Sequence, residues 1–127
     1  MPCFGEKENF VPFSEFSFLK SPLSFRNAGQ CCSAGSRTYV ADELFDEFVQ
    51  LSVNLAKGKV LGDPSHANTT MGTLINKQQQ TDVAGFVARA KAASGVKIAF
   101  QGPTPAKGYF ASCVVVTAPH DSEVVYF

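Results

Sequence analysis

Neither sign of charge is in excess in this chain. Eleven lysine and arginine residues balance eleven aspartate and glutamate residues. The sequence therefore lacks the basic surface with which proteins neutralise nucleic-acid or lipid phosphates. Long apolar runs are missing as well, since runs such as residues 113–116 are far shorter than the about 20 residues that span a bilayer. We expect neither nucleic acid nor a membrane as a partner.

Paired cysteine motifs are also absent. The chain holds four cysteines, Cys3, Cys31, Cys32 and Cys113. None of them shows the C-x-x-C spacing of a zinc site, so no metal site is predicted. Charged residues interrupt the first ten positions, which therefore do not read as a secretory signal. We expect free thiols in a reducing compartment, either the cytoplasm or an organellar matrix.

The apolar residues that are present suffice for one domain. Hydrophobic residues make up 45% of 127 positions, and 12 of them are phenylalanine. Their pattern predicts helices over 42–58 and 77–93 and strands over 37–40 and 96–101. A further strand is predicted in the apolar run that follows residues 108–110 and ends at Val116. The predicted fold class is α/β, with helices packed on a mostly parallel sheet.

The first 24 residues show neither period. Phenylalanines are spread among serines and charges, and Pro2, Pro12 and Pro22 interrupt any regular element. This segment predicts no helix and no strand.

Residues 25–37 are the most informative stretch. Cys31 and Cys32 are adjacent there, among alanine, serine and glycine. Small neighbours allow a tight turn and leave space for a substrate beside a thiol. Chemistry alone nevertheless favours a structural turn with the cysteines as small core hydrophobes, because buried cysteines are usually inert.

The spacing of the other residues in 25–37 resembles the active-site cysteine signature of the aldehyde dehydrogenase superfamily, Phe-x-Asn-x-Gly-Gln-x-Cys-x-Ala-x-Ser-Arg. The matching residues are Phe25, Asn27, Gly29, Gln30, Cys32, Ala34, Ser36 and Arg37. The resemblance implies that Cys32 is the nucleophile and that Cys31 and Ser33 line the substrate pocket. It further implies that residues 25–127 are a partial catalytic domain and that residues 1–24 are a divergent or non-native leader.

The same resemblance implies a reaction. A thiolate attacks an aldehyde to form a thiohemiacetal, hydride passes to NAD or NADP, and water releases the acid from the resulting thioester. The implied partners are an aldehyde substrate and, for the full-length protein, further copies in a homo-oligomer.

Much of the machinery for this reaction is not found in the sequence. No glycine-rich phosphate turn precedes Phe25, and the family's Glu-Leu-Gly-Gly motif is absent. His66 and His120 lie in polar stretches that favour a solvated surface. Gln79 matches a family glutamine near the cofactor ribose, but a capping box with Asn76 is the favoured alternative.

These gaps lead to a qualified functional prediction. The chain is expected to hold the nucleophile part of an NAD(P)-dependent aldehyde dehydrogenase and to be inactive in isolation. One alternative is a truncated product that binds another subunit without catalysis. A weaker alternative is a thiol hydrolase that acts on esters through Cys32.

Overall fold

The computed structural model describes residues 24–119. Two short 3₁₀ turns come first, followed by two helices and then two strands. The turns are Arg26–Gly29 and Asp42–Leu44, the helices are α1 (Phe45–Lys57) and α2 (Lys77–Ala92), and the strands are β1 (Lys97–Gln101) and β2 (Val114–Thr117). Of the sequence features discussed above, Cys3, His120 and the three early prolines lie outside the described residues.

Helix α1 confirms the first predicted helix and packs on the sheet through its small residues. Ser52 and Ala56 are its buried positions, 5% and 3% exposed, one turn apart. Small side chains at this spacing let the helix axis approach the strands closely. The helix contacts both β1 and β2, so it covers one face of the sheet.

Helix α2 confirms the second predicted helix and its N-cap. The Asn76 side chain accepts a hydrogen bond of 2.9 Å from the backbone N–H of Gln79, which satisfies one otherwise unpaired donor of the first turn. Ala90 is 1% exposed, and the helix contacts β1.

The sheet corrects the predicted topology. Strands β1 and β2 pair antiparallel, with a register irregularity between Ile98 and Phe100. Within residues 24–119, parallel pairing is limited to an isolated bridge between Leu61 and Met71. The prediction of a mostly parallel sheet is therefore wrong for this part of the chain. Parallel neighbours usually need a helical crossover, and no helix lies between β1 and β2.

The predicted strands match the structure unevenly. Strand β1 spans Lys97–Gln101 with alternating exposed and half-buried residues, which confirms the strand predicted over 96–101. The predicted strand over 37–40 is wrong, because no strand forms there and Tyr39 is 71% exposed. A strand needs a second strand with which its backbone can form hydrogen bonds, and a strand-like composition does not by itself supply that partner.

The core joins the helix, the loop after it and the segment before β2. Ala56, Met71 and Cys113 are each about 4% exposed or less and form one cluster. Burial raises the pKa of the Cys113 thiol to about 11, and its Sγ contacts Met71 Sδ at 3.9 Å. This thiol is therefore protonated and covered in the folded chain at neutral pH.

Two further features bear on function. No helix within residues 24–119 is long and apolar enough to cross a membrane. Nor do three or more metal-binding side chains meet anywhere in that range.

Candidate active site

The cysteine signature begins with a left-handed turn. Asn27 and Ala28 have φ of 50° and 55°, and Gly29 follows at 77°. Asparagine and glycine adopt this conformation readily, whereas an alanine pays about 1–2 kcal/mol for it. Strained residues of this kind persist only where surrounding contacts hold them, and they cluster at functional sites.

Two side-chain amides close the turn on itself. Asn27 Nδ2 donates to the Gln30 carbonyl at 3.2 Å, and Gln30 Nε2 donates to the Asn27 carbonyl at 3.1 Å. The Gln30 backbone N–H also donates to the Asn27 carbonyl at 3.1 Å. Each of the two amides thus donates to the backbone carbonyl of the other residue.

Two residues of this turn region pack on the core. Phe25 and Ala28 pack against the Ala56, Met71 and Cys113 cluster. The Ser24 hydroxyl donates to the Gly35 carbonyl, which ties the start of the loop to its end. The loop that carries the cysteines is therefore anchored on the core at its start, and its end is tied back to that start.

The thiols themselves lie at the surface. Cys31, Cys32 and Ser33 are exposed, and the Ala34 backbone N–H donates to the Cys31 carbonyl at 3.0 Å. We call residues 31–34 the cysteine turn. Cys31 Sγ lies 3.3 Å from Ser33 Oγ. Hydrogen bonds from the Ser33 hydroxyl and then its backbone N–H, with a smaller effect of Arg26, hold the pKa of the Cys31 thiol below its ordinary value.

Ser33→Ala is expected to raise the pH at which Cys31 becomes alkylated by iodoacetamide. The substitution removes the hydroxyl that stabilises the thiolate, so the pKa moves up and less thiolate is present at neutral pH. Tandem mass spectrometry on the tryptic peptide spanning 27–37 separates alkylation of Cys31 from that of Cys32. Ser36→Ala, in the same loop, is the matched control, and an equal rise in both variants would contradict the assignment to Ser33.

A cavity of about 850 Å³ lies beside the signature. Its wall includes Phe25, Gly29, Ser36 and Arg37 from the signature, together with residues of α2 and β2. Cys31, Cys32 and Ser33 are not part of that wall. The roles of Cys31 and Ser33 in a substrate pocket and of Cys32 as nucleophile thus stay predictions.

The order of elements differs from that of a common dinucleotide-binding unit. The pyrophosphate of NAD binds a glycine-rich turn between a strand and a helix N-terminus, and no strand leads into α1 or α2 in residues 24–119. Gln79 is exposed, and its backbone N–H is committed to the Asn76 cap. His66 is exposed as well.

One set of contacts could not be predicted from the sequence. The Gln30 amide also reaches residues 73–75, more than 40 positions further along the chain. Its Nε2 donates to the Thr73 carbonyl at 3.4 Å and its Oε1 accepts from the Ile75 backbone N–H at 2.8 Å. Both partners are backbone groups, so no side-chain pattern at 73 or 75 could have revealed them.

Comparison with known proteins agrees with the signature. The sequence profile of the Aldehyde dehydrogenase family matches residues 21–126, and the chain belongs to this family. The match starts four positions before Phe25, and the boundary at residue 24 stays a prediction.

Individual relatives support the same conclusion. The chain is 37% identical over 86 residues to "Aldehyde dehydrogenase, mitochondrial" of Homo sapiens, covering 68% of this chain and 17% of that protein. It is 34% identical over 112 residues to "Aldehyde dehydrogenase 1A1" of Equus caballus, covering 84% and 22%. The fold is similar to an aldehyde dehydrogenase from Bacillus cereus solved as its NAD+ complex, with a TM-score of 0.82, 28% identity, and coverage of 93% and 24%. The chain thus spans less than a quarter of these relatives.

Proposed function

We propose that this chain carries the nucleophile of an NAD(P)-dependent aldehyde dehydrogenase and that Cys32 is that nucleophile. The observation that carries the proposal is the cysteine turn itself. The chain belongs to this family and carries every fixed residue of the signature. Cys32 lies on an exposed turn, and the residues before that turn have strained backbone angles and pack on the core. Strain held by surrounding contacts is typical of sites at which geometry matters for chemistry.

The first chemical step needs only the thiol and the substrate. The Cys32 thiolate attacks the carbonyl carbon of an aldehyde, a C–S bond forms, and the carbonyl electron pair moves to oxygen. Protonation of that oxygen gives a thiohemiacetal. Exposure of the turn allows an aldehyde to reach the sulfur.

Oxidation of the adduct is proposed for a whole protein. A hydride acceptor is required to reach the thioester, and water is required to release the carboxylic acid from it. Within residues 24–119 no strand leads into either helix, the arrangement that commonly holds the pyrophosphate of NAD or NADP. We therefore propose that the 127-residue chain forms the adduct without turnover. The full protein would act on an aldehyde as a homo-oligomer, in the cytoplasm or in an organellar matrix.

Adduct formation tests this function. The purified chain is mixed with a ¹³C-carbonyl-labelled short aliphatic aldehyde, and the thiohemiacetal carbon is observed by NMR. We expect a signal that disappears in Cys32→Ala and remains in Cys31→Ala. NAD or NADP is then added, and no carboxylate is expected.

Two results would overturn parts of the proposal separately. Loss of the signal in Cys31→Ala but not in Cys32→Ala would identify Cys31 as the nucleophile instead. Carboxylate formation that depends on cofactor and on Cys32 would show that the chain itself turns over.

A further inference from the structure

Gln30 contacts residues 73–75, and this segment is held in place by interactions that do not involve Gln30. Leu74, between Thr73 and Ile75, is 3% exposed, and its backbone N–H donates to the Tyr109 carbonyl at 2.8 Å. Residues 73–75 are thus fixed by burial on one side and by a hydrogen bond to a distant segment on the other. A contact to this segment is therefore a contact to a part of the fold that other interactions hold in place.

The Gln30 amide is matched to its surroundings in a single orientation. Its NH₂ group faces two carbonyl oxygens, those of Asn27 and Thr73, while its oxygen faces the N–H of Ile75. Exchanging the amide oxygen and nitrogen would set each group against its own kind. One side chain therefore joins the left-handed turn to the 73–75 segment.

The position of Gln30 makes this link relevant to the thiols. Gln30 directly precedes Cys31, whose carbonyl closes the cysteine turn by accepting from Ala34. Because Gln30 is bonded to Cys31, holding residue 30 in place also holds the first residue of the cysteine turn in place. Without the link, the strained turn at Asn27 and Ala28 would keep only its local bonds and its packing on the core.

We propose that Gln30 is a positioning residue, whose side-chain amide holds the cysteine turn in register with the anchored 73–75 segment and so sets the geometry of both thiols. The proposal rests on the proposed function only for the role given to Cys32. Its test uses no aldehyde, so its failure is distinguishable from failure of the nucleophile assignment.

The test combines amide exchange with thiol titration in the 127-residue chain. In Gln30→Met, which keeps the length of the side chain and loses its hydrogen bonds, exchange of the Ile75 amide is expected to accelerate about tenfold. The Leu74 amide, bonded to Tyr109 instead, is expected to keep its rate. The pH midpoint of Cys31 alkylation is expected to rise toward that of a free thiol, because the contact with Ser33 is no longer held.

Two further variants complete the experiment. Gln78→Met is the matched control, since its amide bonds only within α2, to Asp82 at 2.9 Å, and it should change neither readout. Gln30→Asn keeps an amide that is one methylene too short to reach the 73–75 segment, so it should also speed exchange of the Ile75 amide.

Each remaining outcome counts against the proposal. Unchanged Ile75 exchange in Gln30→Met would show that the link is not made in solution. If exchange of the Ile75 amide is faster but the pH midpoint of Cys31 alkylation is unchanged, the Gln30 bonds exist but do not position the thiols. If Gln30→Met fails to fold, as shown by loss of Leu74 protection, Gln30→Asn decides alone, and an unchanged exchange rate of the Ile75 amide there overturns the link.

Discussion

Leu74→Ala is expected to lower the free energy of unfolding by about 2–5 kcal/mol, the usual cost of truncating a fully buried leucine. Leu74 is 3% exposed, so the substitution removes buried methyl groups and leaves a cavity behind. The loss is measured as a lower urea midpoint at an unchanged slope, with helix content followed by circular dichroism.

The adjacent residue provides the control. Ile75 has a similar side chain but is 76% exposed, so Ile75→Ala should change stability by no more than about 0.5 kcal/mol. Both variants keep the backbone groups that meet Gln30. Equal losses in the two variants would contradict the burial of Leu74. Because Leu74 lies between the two residues that Gln30 contacts, its truncation should also loosen the cysteine turn.

Phe110→Ala is expected to cost about 3–5 kcal/mol, the range for removing a buried aromatic ring. Phe110 is 9% exposed. Space around its ring is tight, since a Cβ added to Gly108 would lie 2.7 Å from the ring atom Cε2. For a domain with about 5–15 kcal/mol of stability, such a loss removes a large share of it.

Tyr109 gives the matched control for this second prediction. Its side chain is 45% exposed, and Tyr109→Ala keeps the carbonyl that accepts from Leu74. Thermal unfolding should therefore separate the two variants clearly, with the lower midpoint for Phe110→Ala. A similar midpoint for both would show that the Phe110 ring does not pack in the core as described.

Local chemistry explains which elements could be predicted from the sequence. Helix α2 depends on an apolar stripe and on the Asn76 cap, which lie within one stretch of chain, and its predicted end differs from Ala92 by a single residue. Strand β1 shows its alternation in five residues. Both signals need no knowledge of distant parts of the chain.

Pairing partners could not be predicted in the same way. Residues 37–40 have a strand-like composition but no strand forms there, and the direction of β2 depends on how the chain returns from β1. The link from Gln30 to Thr73 and Ile75 joins one side chain to two backbone groups. Backbone groups are identical at every position, so the sequence gives no sign of which of them a side chain will meet.

The methyl group of Ala28 has a consequence for how the site responds to heat. Ala28 adopts a conformation that glycine would adopt at lower cost, and in exchange it packs against the Ala56, Met71 and Cys113 cluster. At Ala28 the shape of the loop is therefore imposed by the interior, whereas its neighbours adopt the same conformation readily. A loop of this kind keeps its shape on warming for as long as the interior stays packed, and then loses it in the same transition.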